Sequence, residues 1–445
     1  MYPEQRTAFD EVLTKWRGGR MTRRTFLERA SAIGLSSVAM TSLLESCSNE
    51  HTIELVWQSE FDLSGTYQKL VDDFNRTNRD TIHVTIHSIQ SGTNDLTVIE
   101  RNMFRAHSTA VDIYSVDIVN IPEFASQQWI TPIRESQWSA QERAKYLSPP
   151  LEACTFNGEI WAAPYRTDVG LIYYRTDLVD APPSTWDDLT TVSQQVLSKA
   201  HPQELKYGYV WQASQYEGLV CNFDEVLHGY GGSILDPKDS TQVTVDSQQA
   251  RQALTTLVNW TTSISPPNIT IYTEEITRQT WESGQAIFMR NWPYAYVNAE
   301  QSPMANKFAI HSMLYGGTNT IGHASIGGWQ LAINSFIDPE KQAAAWKFIQ
   351  YMLSQEAQEK GAQNASWLVT LRSIYEDVSI QNKIPLFKEI GPILQTALPR
   401  PITPSYEAVS QAIRIRVRQA LNGADVPQTL HDLAADLRPL VKSHV

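Results

Sequence analysis

The sequence has little cysteine, since Cys47, Cys154 and Cys221 are the only three among 445 residues. Cys154 and Cys221 lie too far apart in the chain for a zinc knuckle, and no histidine-rich cluster accompanies them. We therefore expect no metal site. A disulfide between these two cysteines would suit an oxidising compartment, and two buried free thiols are the alternative.

The chain also lacks a hydrophobic run of bilayer length after Cys47, and it lacks a long basic stripe. Its charged residues amount to 19% and its formal net charge is −12. An acidic chain without a basic stripe is unlike a nucleic-acid-binding protein, so we expect no nucleic-acid partner. The sequence contains no phosphate-cradling glycine loop, no Gly-x-Ser-x-Gly and no His-Glu-x-x-His, so we expect no cofactor and no hydrolase of those types.

Residues 22–47 have the order of an export signal. Arg23 and Arg24 lead into a mildly apolar run, residues 32–44, which is too short to span a bilayer. This order resembles a twin-arginine signal over residues 21–46, which a receptor reads as an address and which does not itself anchor a protein. An ordinary buried helix is the alternative interpretation.

The end of this segment, Leu44-Glu45-Ser46-Cys47, resembles a bacterial lipobox, although Glu45 stands where a smaller, uncharged residue is usual. Cleavage would leave Cys47 as a lipid-bearing N-terminus with residues 47–52 as the tether. Two or more acyl chains anchor a protein stably, because each buried methylene contributes about 0.8 kcal/mol. The pattern therefore predicts a location outside the cytoplasmic membrane, with the membrane contacted by the lipid alone.

Signals of this kind usually start close to their arginines, whereas twenty residues precede Met21 here. We therefore consider Met21 as an alternative start to Met1. Residues 1–20 would then be a gene-model artefact.

Aromatic residues are abundant, with 13 tryptophans and 18 tyrosines. Trp292 is followed by Pro293, and Trp329 follows two glycines, so neither lies in a periodic run typical of a core tryptophan. Flat rings presented by loops suit sugars, whose C–H faces are apolar and whose rims carry hydroxyl groups.

Segments with strand-like polarity alternate with segments of helical periodicity. The predicted strands are residues 53–57, 82–86 and 111–116, and the predicted helices are residues 67–75 and 97–106. This alternation favours a parallel, doubly wound α/β sheet. Ligands bind beyond the carboxyl ends of such strands, where Asp117 follows the third strand.

A second unit is predicted to start near Pro164. Residues 169–174 form an apolar run typical of one strand. Thr185 is a plausible helix N-cap with Asp188 at the third helical position, and a further helix is expected over residues 247–262.

Five segments, in the same order along nearly the whole chain after Cys47, carry a resemblance to a known family. They are residues 163–175 (APYRTDVGLIYYR), 211–221 (WQASQYEGLVC), 290–296 (RNWPYAY), 327–329 (GGW) and 399–404 (PRPITP). The chain resembles the extracellular solute-binding proteins of ABC sugar importers, specifically their trehalose/maltose-binding branch.

This resemblance implies a periplasmic-binding-protein-like α/β fold of two doubly wound lobes joined by a multi-strand hinge. Lobe one would comprise residues 53–164 plus 310–355, and lobe two residues 165–309 plus 356–445. The chain would cross between lobes near Pro164, Ala309 and Gln355. Closure around a ligand would then be a hinge motion.

The resemblance also assigns roles to particular side chains. It makes Asp117 and Asp168 hydroxyl acceptors, Trp292 and Trp329 stacking platforms, Gly328 the point of backbone approach and Arg400 a donor to ring hydroxyls, with Tyr294 as a further candidate. Two carboxylate oxygens can accept from vicinal hydroxyls, which suits a sugar clamp. The alternatives are a helix N-cap for Asp117, a core position for Trp292 and a surface cation for Arg400.

Two positions depart from the family pattern. Where the family tends to have a glutamate between its first strand and helix, this chain has Leu63-Ser64-Gly65-Thr66, so Glu60 and Asp62 become substitute candidates. Arg166 stands where an aromatic or neutral residue is more usual, and it could pair with Asp168 or favour another sugar.

The expected function is non-enzymatic capture of a disaccharide or short oligosaccharide by a monomer, which delivers it to the transmembrane subunits of an ABC permease. A sugar-sensing protein that reports to a membrane receptor would have the same fold and site. Paired carboxylates in an aromatic cleft also describe a glycoside hydrolase, although the sequence marks no pair as acid and nucleophile.

Overall fold

The computed structural model describes residues 25, 52–62, 64–89, 93–199, 202–365 and 367–442. The predicted lipidation site Cys47 and, apart from Thr25, the predicted signal of residues 21–46 lie outside the described residues. The chain divides into two compact units, residues 1–54 with 75–83 and residues 55–74 with 84–445. In the first unit, the amide of Ile53 donates to the carbonyl of Thr81 at 2.9 Å. The site lies within the second unit.

The predicted alternation of strands and helices is confirmed and extended by the element bounds. The strands are β1 (Ile53–Glu60), β2 (Ile82–Ile89), β3 (Ile113–Asp117), β4 (Thr155–Phe156), β5 (Glu159–Ile160), β6 (Arg166–Val169), β7 (Leu171–Arg175), β8 (Tyr207–Val210), β9 (Ala286–Asn291), β10 (Phe308–His311), β11 (Ile326–Gly327), β12 (Trp329–Ile333) and β13 (Leu368–Val369).

The helices follow the same order in the described part of the chain. They are α1 (Thr66–Asn78), α2 (Thr93–Arg105), α3 (Ile121–Ser126), α4 (Ala140–Arg143), α5 (Ser148–Ala153), α6 (Trp186–Leu197), α7 (Glu217–Gly229), α8 (Gln248–Ser263), α9 (Glu274–Glu282), α10 (Tyr294–Glu300), α11 (Pro339–Met352), α12 (Gln355–Ala365), α13 (Arg372–Glu376), α14 (Val378–Lys383), α15 (Leu386–Thr396), α16 (Tyr406–Leu421) and α17 (Val426–Lys442).

Two four-stranded sheets carry the fold, and both are mixed rather than wholly parallel as predicted. The first has the order β12-β3-β1-β2, with β1 parallel to β3 and β12 antiparallel to β3. The second has the order β10-β7-β9-β8, with β8 parallel to β9 and β7 antiparallel to both neighbours. The prediction of a parallel sheet fails for β12 because this strand enters from a remote part of the chain, outside the local strand–helix–strand repeat.

A third sheet, of order β11-β6-β13, connects the segments that build the other two. Its strands are antiparallel, with Gly327 opposite Asp168 and Leu368 opposite Thr167. Ala309 lies in β10 of the second sheet, opposite Tyr174. The predicted crossings near Pro164, Ala309 and Gln355, and the lobe boundaries, stay a prediction.

The predicted single strand over residues 169–174 is wrong, because Gly170 divides it into β6 and β7. Gly170 packs against a buried ion pair in which Arg290 Nη2 lies 2.6 Å from Glu225 Oε1. A Cβ at residue 170 would lie 2.7 Å from Arg290 Nη2 and would also collide with Glu225. Gly170 therefore lies between β6 and β7, which belong to different sheets, and its lack of a side chain leaves room for the Glu225–Arg290 pair.

Local capping follows the predicted chemistry. Thr185 Oγ1 accepts from the amide of Asp188 at 3.0 Å, and the Asp188 carboxylate accepts in return, which completes a capping box at the start of α6. Ser247 Oγ accepts from the amide of Ala250 at 3.1 Å, so α8 begins where polarity predicted it.

Most of the largest side chains belong to the core. Trp260 packs edge-on against Trp186 at 5.4 Å and against Tyr209 at 5.1 Å between ring centroids. Cys154 and Cys221 are both buried and neither forms a disulfide, which is the free-thiol alternative. Burial raises the pKa of both thiols, so they stay protonated. Within the described residues, no helix has the length and apolarity that a bilayer crossing requires.

Gly170→Ala is expected to lower the free energy of unfolding by about 1–3 kcal/mol, because the added methyl overpacks the buried Glu225–Arg290 pair. The control is Gly391→Ala in α15, where a Cβ meets nothing within 4 Å and alanine favours the helix by about 1 kcal/mol. Urea unfolding measures both variants, and equal midpoints for the two would contradict the packing argument.

Candidate functional site

A pocket of about 740 Å³ is lined by residues in, or directly after, strands of all three sheets. The six residues that the resemblance singled out most firmly all line it, namely Asp117, Asp168, Trp292, Gly328, Trp329 and Arg400. Arg166 and Tyr294 line it as well. Glu60 and Asp62 are not among the lining residues. The volume falls in the range of about 300–1,000 Å³ that is usual for small-molecule sites.

One backbone turn positions the two aspartates. Gly327 in β11 pairs with Asp168 in β6, and Trp329 at the start of β12 pairs with Asp117 at the end of β3. Gly328 joins them with a φ of 120°, and a Cβ there would lie 2.7 Å from Thr167 Cα. Only glycine fits this approach, so a three-residue turn fixes both carboxylates and the indole of Trp329 around the same space.

Trp292 follows β9 and is half-buried. The guanidinium of Arg290 lies over its ring, 3.9 Å from the centroid, and Arg290 is in turn held by Glu225. The indole N–H donates to Glu274 Oε1 at 3.4 Å. Trp292 is therefore not a core residue: one face of its ring contacts the guanidinium of Arg290, and the residue lines the pocket.

Arg400 is 4% exposed, so the surface-cation alternative is wrong. Its Nη2 donates to Asp117 Oδ1 at 3.1 Å and its Nη1 donates to Glu217 Oε1 at 2.7 Å. Asp117 Oδ1 also accepts from the amide of Val119 at 3.3 Å, so Asp117 caps a short 3₁₀ turn and lines the pocket at once. Asp117 is therefore a cap, as the alternative interpretation had it, and it also lines the pocket, while its role as an acceptor for hydroxyl groups stays a prediction.

Arg166 lies between two carboxylates. Its Nη2 is 3.3 Å from Glu60 Oε1 and 3.8 Å from Asp168 Oδ2, so the suggested pairing with Asp168 is present at long range. Glu60 is buried and accepts from the hydroxyl of Tyr67, which places it behind Arg166.

Asp62 has a local task at the start of α1. Its carboxylate accepts from the amides of Ser64 and Tyr67, at 2.9 and 2.8 Å. The bond to Tyr67 satisfies an otherwise free N–H in the first turn of α1, and the bond to Ser64 holds the turn before the helix, which explains an aspartate at this position without a ligand. The loop is therefore not re-routed in a way that brings Asp62 to the pocket lining.

Burial disfavours the ionised form of three carboxylates in or beside the pocket, those of Asp168, Asp117 and Glu60. Burial raises the pKa of Asp168 to about 6, and the charge of Arg166 opposes that rise. Burial likewise raises the pKa of Asp117 and of Glu60, with Arg400 and Arg166 as the opposing charges. The arginines thus offset part of a desolvation cost that these positions impose.

The structure adds residues that the sequence argument missed. Glu217 begins α7, Glu274 begins α9, and Tyr216 lies beside both in the pocket lining. Tyr216 and Glu217 fall inside the matched segment 211–221, so the segment contained a signal that was not used. Glu274 lies outside every matched segment, and only the fold brings it to Trp292. In the described part of the chain, no group of His, Cys, Asp or Glu is arranged to hold a metal ion.

Comparisons with known proteins agree with this architecture. The sequence model of the family described as bacterial extracellular solute-binding protein matches residues 61–359. A probable ABC transporter-binding protein from Deinococcus radiodurans is 34% identical over 334 residues, which cover 72% of this chain and 78% of that protein.

Solved structures show the same fold. Maltose-bound MalE3 from T. maritima superposes with a TM-score of 0.80 at 31% identity, covering 87% of this chain and all of that one (100%). The GacH receptor of Streptomyces glaucescens, solved unliganded and with acarbose, has a TM-score of 0.77 at 20% identity over 88% of this chain and 100% of its own. At 20% identity, the similarity to the GacH receptor concerns the fold alone. The expected periplasmic-binding-protein-like α/β class is confirmed.

Asp168→Asn is expected to stabilise the protein at neutral pH. The pKa of Asp168 in the folded protein, about 6, exceeds the unfolded value of about 3.9, so its contribution favours folding at low pH and is lost as the pH rises through about 6. Asparagine removes that pH dependence and should raise the free energy of unfolding by up to about 3 kcal/mol above pH 6. Urea unfolding at pH values on either side of this window measures the effect.

The matched control is Asp177→Asn. Hydrogen bonds from Arg175 lower the pKa of Asp177, so this substitution should destabilise the protein at neutral pH. A loss of stability in both variants would contradict the argument that the buried, ionised carboxylate of Asp168 destabilises the folded protein at neutral pH.

Proposed function

Because the chain belongs to the bacterial extracellular solute-binding protein family, we propose that it captures a disaccharide of the trehalose or maltose type and delivers it to an ABC permease. The observation that carries the proposal is a pocket of about 740 Å³ that is lined by two tryptophans, four carboxylates and three arginines. Aromatic faces with convergent polar groups match the chemistry of a sugar, which is apolar on its faces and polar at its rim.

In the proposed complex, Trp292 and Trp329 stack on sugar faces. Asp117 and Asp168 accept from hydroxyl groups, since each carboxylate oxygen has lone pairs beyond those its arginine uses. Arg400 already spends two N–H groups on Asp117 and Glu217, so it contributes mainly by orienting them. Binding is reversible and needs no metal, nucleotide or covalent step.

Two relatives support the ligand class. MalE3, at 31% identity, is a maltose complex, and a maltotriose-binding protein from Pyrococcus abyssi is 22% identical over 65% of this chain. The Deinococcus radiodurans relative is named for an ABC transporter, which supports permease subunits as partners over a membrane sensor. The trehalose preference rests on the sequence resemblance.

We further assign the hinge to β6, β11 and β13. These three antiparallel strands join the segments of the two larger sheets, and β6 and β11 carry Asp168 and Gly327 into the pocket. A ligand that contacts both Trp329 and Trp292 would hold the two sides together and favour a closed form.

Titration calorimetry of the full chain against trehalose, maltose, sucrose, glucose and maltotriose tests the proposal. One sugar should bind at about micromolar affinity or tighter, and chromatography should recover it unaltered. Trp329→Ala should weaken binding by about tenfold to a hundredfold, that is by about 1.4–2.8 kcal/mol, because a stacking face is lost.

Trp329→Phe should retain part of that affinity, and Phe61→Ala, which removes an exposed ring outside the pocket lining, should retain all of it. Heat with none of the five sugars would reject the ligand class. Hydrolysis of a sugar during the titration would instead favour the glycosidase hypothesis.

The lipid anchor at Cys47 is proposed on the sequence pattern alone. Cys47→Ser should move the protein from the membrane fraction of a bacterial host to the soluble fraction, because no acyl chain can then be attached. Cys154→Ala, at a buried thiol, should leave the protein in the membrane fraction. Unchanged fractionation of Cys47→Ser would contradict lipidation at this residue.

A further inference from the structure

The pocket shares each of two arginines between two carboxylates. Arg166 lies 3.3 Å from Glu60 and 3.8 Å from Asp168. Arg400 lies 3.1 Å from Asp117 and 2.7 Å from Glu217. Each arrangement has two carboxylates for one guanidinium. The pocket lining itself holds four carboxylates and three arginines, and one of these arginines, Arg414, pairs with Glu407 outside the lining.

Glu274 adds to the polar wall of the pocket a carboxylate that has no salt-bridge partner among the described residues, and the charge of Arg290 acts on it only at longer range. Among the described residues, no Lys, Arg or His nitrogen forms an ion pair with Glu274. Its oxygens accept from Tyr216 Oη at 2.5 Å and from Trp292 Nε1 at 3.4 Å. A carboxylate has about four lone-pair sites, so both oxygens can accept further hydrogen bonds from a ligand.

The other nearby arginines are committed elsewhere. Arg290, under the indole of Trp292, makes two short bonds to Glu225, at 2.6 and 2.9 Å, and Glu225 is 1% exposed. Arg414 also lines the pocket, and its Nη2 lies 2.7 Å from Glu407. Neither pair compensates Glu274 at hydrogen-bonding distance.

Glu274 also lies where a stacked ring would present its substituents. The indole N–H of Trp292 points to Glu274, so this carboxylate stands at the edge of the stacking platform. A sugar on the ring of Trp292 directs its rim groups outward from the ring, towards such an edge. A polar substituent at that edge would lie near the carboxylate of Glu274.

A second observation indicates that the pocket is built to receive polar ligand atoms. Arg400 lines the pocket and is 4% exposed, and its Nε has no hydrogen-bond partner in the described structure. A buried N–H without a partner is costly, so an acceptor from a ligand or a water is expected there.

We propose that this pocket prefers a sugar that carries a protonated amine over the neutral sugar of the same size, with Glu274 as the residue that selects it. The inference rests on the proposed function and narrows its ligand class. An ammonium group donates charge-assisted hydrogen bonds to a carboxylate, which are about twice as strong as those of a neutral hydroxyl. It also reduces the excess negative charge of the wall.

Calorimetry of the full chain would compare maltose with maltose derivatives in which one hydroxyl is replaced by a primary amine at C2, C3 or C6 of the non-reducing ring. At about pH 6.5, an amine with a pKa of about 7.7 or above is protonated. We expect at least one amine to bind about tenfold more tightly than maltose. Raising the salt concentration should reduce that preference.

Glu274→Gln is the selective variant, because its amide oxygen can still accept from the indole N–H of Trp292, its NH2 group can donate to the hydroxyl of Tyr216, and the charge is removed. It should bring the amine-to-maltose affinity ratio to about one, whatever it does to the affinity for maltose itself. Glu300→Gln, at an exposed position of α10 outside the pocket lining, is the charge-matched control and should keep the ratio.

The outcomes separate the two proposals. If maltose and the amines all fail to bind the unaltered chain, the proposed function fails. If maltose binds and no amine is preferred, or if Glu274→Gln keeps the preference, only the present inference is overturned.

Discussion

Gly328 has a φ of 120° and packs so closely on β6 that a Cβ would lie 2.7 Å from Thr167 Cα. On one side of it Gly327 pairs with Asp168, and on the other Trp329 pairs with Asp117. Strand pairing is rigid in register, because a slip by one residue turns every side chain to the opposite face. The positions of two carboxylates and one indole therefore depend on this one turn, and the remainder of the pocket is built against it.

Compensation of buried charge is the second constraint on the site. Asp117, Asp168 and Glu60 are held where burial raises the pKa of each, and Arg400 and Arg166 partly offset the cost. Behind Trp292, the Glu225–Arg290 pair is almost fully buried and requires Gly170 beside it. Such pairs seldom add stability over apolar packing, which favours a role in holding the indole in place.

Prediction from the sequence succeeded where the signal is local. Polarity of period two located β1, β2 and β3, and the spacing of Thr185 and Asp188 located the start of α6. It failed where the deciding contact is remote. Gly170 interrupts an apolar run because of Glu225, 55 positions further along the sequence. The antiparallel course of β12 depends on pairing with β3, whose partner residues lie 212 to 220 positions earlier.

By itself, the sequence determined the strand and helix segments, their capping and the residue types offered for binding, because these follow from side-chain periodicity and from short motifs. Only the tertiary structure decided which of those side chains meet. Arg400 pairs with Asp117 across 283 positions, Glu274 reaches Trp292, and Glu60 is withdrawn behind Arg166. The reason is physical: charge pairing and close packing depend on distance in space, and the sequence specifies that distance only through the completed fold.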